Sequence, residues 1–93
     1  MLFIVSWSIS PEHRNSAIER FLRTGGAPPT GVTMQGRWHA VGRMSGFAVA
    51  QASDPALIQK WVLEWNDLIA MEVYPALTDE QAAPLLAAAI GQH

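Results

Sequence analysis

The chain contains no cysteine, which excludes disulfides, thiolate nucleophiles and cysteine-based metal sites. Charge is also scarce, since 6 lysines and arginines stand against 8 acidic residues and the formal net charge is -2. Such a composition offers no basic surface for phosphate groups, so we expect no nucleic-acid partner. No apolar run approaches the roughly 18 residues of a membrane span, and the short apolar segment 1–7 has no basic leader. We therefore expect a cytoplasmic protein that does not bind membranes.

Hydrophobic residues, in contrast, are abundant. They make up 49% of the 93 residues, which we expect to form a single domain over 1–93. A chain of this length buries only about 60 to 65% of the surface that its unfolded form exposes. The excess of apolar residues therefore predicts further burial between copies of the chain, and we expect a homodimer.

The segment 53–75 has the clearest structural pattern. Ser53 or Asp54 can cap a helix, and Pro55 suits its first position because the missing N–H would be unpaired there. One apolar stripe then recurs at helical spacing, and residues 69–74 alternate at strand period directly afterwards. A helix that covers a sheet is the arrangement that this pattern favours. The stripe consists of Leu57, Ile58, Trp61, Val62 and Trp65.

The whole chain predicts the element order strand, helix, strand, strand, helix, strand. We expect strands at 2–9, 32–41, 46–52 and 69–74, a first helix that Ser10 caps and that begins at Pro11, and a bulge at Gly36. This order indicates an α+β, ferredoxin-like fold with an antiparallel sheet in the order 4-1-3-2 and two helices on one face.

A C-terminal helical extension is expected over about 78–91, outside a core of about 1–76. Thr78 and Gln81 have the spacing of a capping box, which favours a helix start there. Pro84 should break or kink this helix, because proline lacks the N–H that the helix needs.

Strand alternation divides the predicted sheet into two faces. The helices should cover a face with Phe3, Val5, Trp7, Met34, Trp38, Ala48, Ala50, Ala52, Ile69, Met71 and Val73. The other face mixes apolar and polar residues, and an exposed apolar patch of this kind is uncommon in monomers. Two such faces packed together would form a dimeric α-β barrel with a cavity between the sheets. The residues of this second face are Leu2, Ile4, Ser6, Ser8, Gln35, Arg37, His39, Phe47, Val49, Gln51, Glu72 and Tyr74.

Four residues of the second face are candidate ligand contacts: Arg37, His39, Glu72 and Tyr74. Arg37 would orient an anionic or carbonyl group, and His39 and Glu72 are candidate acid-base catalysts. Their strands are the outermost two, about 14 Å apart, so the pair requires a second subunit or a bridging substrate. Interface salt bridges are the alternative role, and the question of catalysis stays open.

Metal and cofactor sites are not expected. The three histidines, His13, His39 and His93, lack the spacing of metal ligands. The pair Gly25-Gly26 follows a helix instead of preceding one, so it is not a phosphate-binding loop.

The pattern of residues resembles a family of short bacterial proteins that contain a domain of unknown function. The resemblance rests on Pro29-Thr-Gly31, Trp38, Asp54-Pro-Ala-Leu57, Trp61, Trp65, Asp67-Leu68, Glu72-Val73 and Pro75. It implies a ferredoxin-like, dimeric α-β barrel and no particular activity. Gln51 departs from the family, where an acidic residue is expected, so any role of that carboxylate is in doubt in this chain.

Several hypotheses about function follow. The first is a dimer that binds a small organic molecule between its sheets. The second is a non-catalytic structural or interaction dimer, in which Ile4, Phe47 and Val49 fill that space. A third is a dimeric effector-sensing module. An enzyme similar to cofactor-free monooxygenases or isomerases is a further alternative, and it depends on analogy of fold alone.

Overall fold

Four antiparallel strands form one sheet in the computed structural model, which describes residues 1–91. The strand order is β2, β3, β1, β4, which confirms the predicted α+β, ferredoxin-like topology. A short 3-10 helix at Pro11–His13 precedes α1. The strands are β1 (Leu2–Ser8), β2 (Val32–His39), β3 (Ser45–Ala52) and β4 (Ala70–Ala76), and the helices are α1 (Arg14–Thr24), α2 (Pro55–Leu63) and α3 (Asp79–Gly91).

Helix α1 ends at a glycine, as the sequence predicts. Gly25 adopts the left-handed conformation with φ of 72° and donates its N–H to the carbonyl oxygen of Phe21. Glycine takes this conformation at little cost because it has no Cβ. Before α1, Ser10 precedes the 3-10 helix as the expected cap, but its side chain makes no capping hydrogen bond.

Helix α2 begins at the predicted cap. The carboxylate of Asp54 accepts a hydrogen bond of 2.9 Å from the N–H of Ala56, and Pro55 occupies the first helical position. The helix ends at Leu63, so Trp65 lies in the turns that lead to β4. The last residue of the apolar stripe, Trp65, therefore lies two residues beyond the end of the regular helix.

The hydrophobic core lies between the sheet and its two covering helices, α1 and α2. We call this side of the sheet the covered face and the opposite side the open face. Burying a large apolar side chain contributes about 1.5 to 3 kcal/mol relative to leaving it exposed, so this cluster is a main source of stability. It contains Phe3, Val5, Val32, Ala48, Ala50, Ala52, Ile58 and Trp61.

A bulge in β2 changes which residues of that strand lie on each face. Met34 pairs with Ala50 on the covered face, and the register then shifts between Met34 and Gly36. After the shift Arg37 pairs with Ala48, which is also on the covered face. One extra residue exchanges the two faces, because side chains in a strand alternate with a period of two. The bulge predicted at Gly36 is thus confirmed.

This exchange of faces corrects the prediction for three side chains. Arg37 and His39 were expected on the open face, but they lie on the covered face, and Trp38 was expected on the covered face but lies on the open one. There Trp38 stacks on Phe47 with ring centres 5.3 Å apart. The prediction was wrong because it continued the alternation of β2 through the bulge.

Helix α3 follows β4 and buries none of its side chains. Its capping box is confirmed, since Thr78 and Gln81 exchange side-chain to backbone hydrogen bonds of 2.9 and 3.2 Å. The helix continues through Pro84 to Gly91, so the predicted break is wrong, and a kink at Pro84 stays a prediction. Pro84 removes a single backbone hydrogen bond near the helix start, and the leucines and alanines that follow have high helix propensity.

Two further findings concern the described residues. No helix within 1–91 is long and apolar enough to cross a membrane. In the same part of the chain, no group of three or more histidine or acidic side chains could hold a metal ion. His93, one of the three histidines whose spacing is unlike that of metal ligands, lies outside the described residues.

Candidate ligand-binding site

A cavity of about 240 Å³ lies between the covered face and helices α1 and α2. For comparison, an engineered apolar cavity of about 150 Å³ binds benzene. The cavity in this protein thus has room for a larger ring system or a branched chain. Most of its wall is apolar, and its largest apolar side chains are Trp7, Ile18, Phe21, Trp61, Trp65 and Met71.

Small side chains leave this space where α1 faces the sheet. Ala17 of α1 and Ala48 of β3 both line the cavity, and they are 2% and 1% exposed. Two buried alanines occupy little volume, so the neighbouring helix and strand do not fill the space between them. Ala17 and Ala48 thus add little side-chain volume to the wall of the cavity.

A polar contact joins α1 to the loop before β4. The two terminal nitrogens of Arg20 donate hydrogen bonds of 2.7 and 2.8 Å to the carboxylate of Asp67, and one of them donates a further bond to the carbonyl oxygen of Glu64. The guanidinium also lies 5.6 Å from the ring centre of Trp65. The hydrogen bonds from Arg20 hold the pKa of the Asp67 carboxyl below its usual range. This pair fixes one side of α1 over the cavity.

Arg37 reaches the cavity because the bulge turns it to the covered face. Its terminal nitrogens donate hydrogen bonds of 2.8 and 2.9 Å to the carbonyl oxygens of Gly26 and Gly25, and its guanidinium carbon lies 4.8 Å from the ring centre of Phe21. A Cβ at Gly26 would lie 2.6 Å from one of these nitrogens, so glycine permits the approach. Burial lowers the pKa of Arg37, although an arginine in a protein remains protonated.

His39 and Arg43 complete the same end of the cavity. The imidazole of His39 contacts the rings of Trp7 and Phe21 edge to face, with ring centres 5.6 and 5.8 Å apart. Arg43 lies in the turn between β2 and β3. The cavity therefore has an apolar part under the helices and a basic end formed by β2 and the turn that follows it.

Glu72 and Tyr74 lie on the other side of the sheet. Glu72 pairs with Ser6 and Tyr74 with Ile4, so both project from the open face. The hydroxyl of Tyr74 donates a hydrogen bond to the carboxylate of Glu72, and this bond raises the pKa of Tyr74. The four predicted ligand contacts therefore form two separate pairs within one chain: Arg37 with His39 at the cavity, and Glu72 with Tyr74 on the open face.

The open face carries an exposed apolar surface beside that second pair. Ile4 of β1 lies between Val49 of β3 and Tyr74 of β4. The stacked rings of Trp38 and Phe47 lie on β2 and β3. Ile4, Trp38, Phe47 and Tyr74 are 37 to 51% exposed, and Val49 is half-buried. No helix in residues 1–91 covers them, since α1 and α2 both lie on the other face and α3 buries no side chain.

Comparison with known protein families places the whole sheet and both covering helices within one family. Residues 1–90 match the model of a domain of unknown function, DUF3303. The chain belongs to this family. No protein with a curated function matches the chain. Membership of DUF3303 confirms the resemblance to a domain-of-unknown-function family, and it supplies no activity, so the function must be argued from the site.

Sequence reasoning missed two arginines of this DUF3303 chain. Arg20 was not assigned a role, because its partner Asp67 is 47 residues away and no local pattern joins them. Arg43 was not assigned a role either, although it lines the cavity from the turn between β2 and β3. For Arg43 a signal was present: counting the face of each residue through a bulge at Gly36 places the end of β2 beside the helices.

Proposed function

We propose that this protein is a cytoplasmic homodimer that binds a small organic molecule. The observation that carries the proposal is the cavity under α1 and α2, which combines apolar walls with a few convergent basic groups. Pockets of this composition are the usual sites of small ligands. The ligand would lie on the helix side of the sheet, within one chain, and a second cavity between two sheets is not needed for it.

Packing supports a role for this space. Its wall includes the exposed side chains of His39, Arg43 and Met44, so the cavity is open to solvent. Apolar walls that face water lack the contacts that a packed interior would give them. A small molecule with an apolar body restores these contacts, which favours binding without any change in the fold.

A cavity-filling variant tests the proposal. Ile18 lines the cavity from α1 and is 36% exposed, so Ile18→Trp can enlarge the side chain into the cavity from a position that still reaches solvent. Indole serves as a neutral probe because it is larger than benzene and soluble. We expect calorimetry to detect indole binding to the wild type and at least tenfold weaker binding to Ile18→Trp.

Leu22→Trp is the matched control. Leu22 lies one turn further along α1, is 75% exposed and does not line the cavity. The Leu22→Trp variant should bind indole with the affinity of the wild type. Equal binding by Ile18→Trp would show that the probe binds elsewhere, and the absence of binding to the wild type would contradict the proposed function.

The surface area of the chain supports the homodimer. The accessible surface is 6430 Å², whereas a compact monomer of this mass exposes about 5,300 Å². The surplus is on the order of 1,100 Å², and a standard protein interface buries about 800 Å² on each partner. The radius of gyration of 16.0 Å is also larger than the value of about 12 Å for a compact chain of this length. Helix α3, which buries none of its side chains, contributes part of this surplus, and a second copy packed on the open face would cover the large apolar side chains exposed there.

A purely structural dimer is the alternative function, and it would need the open face alone. The cavity favours the ligand-binding proposal, because a structural dimer has no use for space on the helix side.

We propose no reaction: His39 and Glu72 lie on opposite faces of the sheet, which disfavours them as an acid-base pair. Cell fractionation tests the cytoplasmic location.

A further inference from the structure

The basic side chains of the cavity come from β2 and the turn that follows it. The chain has only 6 lysines and arginines and a formal net charge of -2. Two of these 6, Arg37 and Arg43, nevertheless line the cavity together with His39. Among the residues that the structure describes, no aspartate or glutamate lines it. The cavity is therefore electropositive in a protein whose overall charge is negative.

Arg37 has hydrogen-bonding capacity left for a ligand. Its bonds to Gly25 and Gly26 use two of the five N–H donors of a guanidinium. No described residue accepts a hydrogen bond from the other three. The side chain is half-buried against Phe21, where water screens its charge less than at an exposed site. The contacts to the glycines also fix the orientation of the planar group, which favours recognition of a planar anion.

The apolar part of the cavity defines the rest of the ligand. Trp61 is 4% exposed and Trp65 is half-buried, and both line the cavity from the helix side. Together with Phe21 and Trp7 they offer flat aromatic surfaces, against which rings pack well. A hydrated or highly polar molecule would lose more hydrogen bonds to water here than it could form.

We propose that the natural ligand is a small hydrophobic carboxylate. Its ring or branched chain would lie between α1, α2 and the covered face, and its carboxylate would accept hydrogen bonds from Arg37 and Arg43. This inference rests on the proposed ligand-binding function and adds to it the chemical class of the ligand. Residues 37 and 43 would thus determine specificity, and the tryptophans would contribute most of the contact area.

Two probes of nearly the same shape test the proposal. Indole-2-carboxylate carries the charge, and indole-2-carboxamide is its neutral counterpart. We expect the carboxylate to bind at least tenfold more tightly at neutral pH, the difference that charge-assisted hydrogen bonds give. The advantage should decrease as salt concentration rises, because salt screens the attraction. Calorimetry at two salt concentrations measures both effects.

Variants identify the arginines responsible. Arg43→Gln removes an exposed side chain from the turn and should reduce the carboxylate-to-amide affinity ratio several-fold. Arg37→Gln should reduce it further. That variant also loses the bonds to Gly25 and Gly26, but the ratio measured within one variant is insensitive to a general loosening of α1. Arg23→Gln is the control, since Arg23 is exposed on α1 and does not line the cavity, and it should keep the wild-type ratio.

The outcomes separate the two proposals. Equal affinity for carboxylate and amide would overturn the assignment of a carboxylate and leave the ligand-binding function intact. A preference for the carboxylate that persists in both Arg37→Gln and Arg43→Gln would also overturn it, because the charge would be recognised elsewhere. Failure of both probes to bind would contradict this inference together with the proposed function.

Discussion

The two faces of the sheet are built from the same four strands, and both are apolar, yet only one is covered within the chain. On the covered face Phe3 and Val5 are almost completely buried, whereas on the open face Ile4, Trp38 and Phe47 remain exposed. Hydrophobic composition alone does not distinguish the two faces. What differs is the presence of helices, and we infer that the open face is completed by a second copy of the chain.

The largest expected effect comes from truncating a residue that packs on the covered face. Ile58 of α2 is 2% exposed, and Ile58→Ala should lower the free energy of unfolding by about 3 kcal/mol. The matched change on the open face is Ile4→Ala, at a position that is 37% exposed. At protein concentrations where the chain is monomeric, it should cost no more than about 0.5 kcal/mol. Urea denaturation measures both.

The losses of unfolding free energy in Ile58→Ala and Ile4→Ala should depend differently on protein concentration. If the open face is an interface, the cost of Ile4→Ala should grow at concentrations where the dimer forms, and that of Ile58→Ala should be large throughout. A large loss for Ile4→Ala in the monomer would show that the open face stabilises a single chain by itself.

The second prediction concerns association. Trp38→Asp places a charge in the apolar surface beside Phe47, and aromatic side chains in protein interfaces can contribute about 2 kcal/mol or more. We expect the dimer to dissociate about 30-fold more readily. Sedimentation equilibrium over a range of concentrations measures this change. Gln59→Asp, on the exposed side of α2, should leave association unchanged, and a wild type that stays monomeric at all concentrations would contradict the dimer.

The smallest effect should come from the polar contact that joins α1 to the loop before β4. Arg20→Gln removes the hydrogen bonds to Asp67, and both side chains are partly exposed, so only a small loss of stability is expected. Arg20 lowers the pKa of Asp67 from its ordinary value of 3.8. The stabilisation is therefore present above that value and is lost as the pH falls below it and the carboxyl becomes protonated.

Denaturation at pH 7 and at acidic pH tests whether this stabilisation decreases as the pH falls. The difference in unfolding free energy between wild type and Arg20→Gln should shrink as the pH falls through the range below 3.8. A difference that is the same at both pH values would mean that the contact to the carbonyl oxygen of Glu64, which does not titrate, supplies the effect.

Much of the fold follows from local patterns. The caps at Asp54 and Thr78, the glycine at position 25 and the alternation of apolar residues in β1, β3 and β4 predict the order of the elements and the topology of the sheet. These signals suffice because each depends on residues within a few positions of one another. Pro84 was the exception, since the propensity of the segment after it outweighed the loss of one hydrogen bond.

The site was less predictable, for two physical reasons. A strand changes faces when a single residue is added, so the bulge in β2 moved Arg37 and His39 to the cavity and Trp38 away from it. The cavity itself depends on how far α1 lies from the sheet. That distance reflects the small residues Ala17 and Ala48 and a contact between residues far apart in the sequence.

The distribution of tryptophans has a practical consequence. Of the 4 tryptophans, Trp7, Trp61 and Trp65 line the cavity and Trp38 lies on the open face. The intrinsic fluorescence of the protein thus contains two separate reporters. In Trp38→Phe the remaining emission reports on the cavity alone, and the difference from the wild type reports on the open face. Tryptophan fluorescence can therefore report on ligand binding and on association in the same sample, without a label.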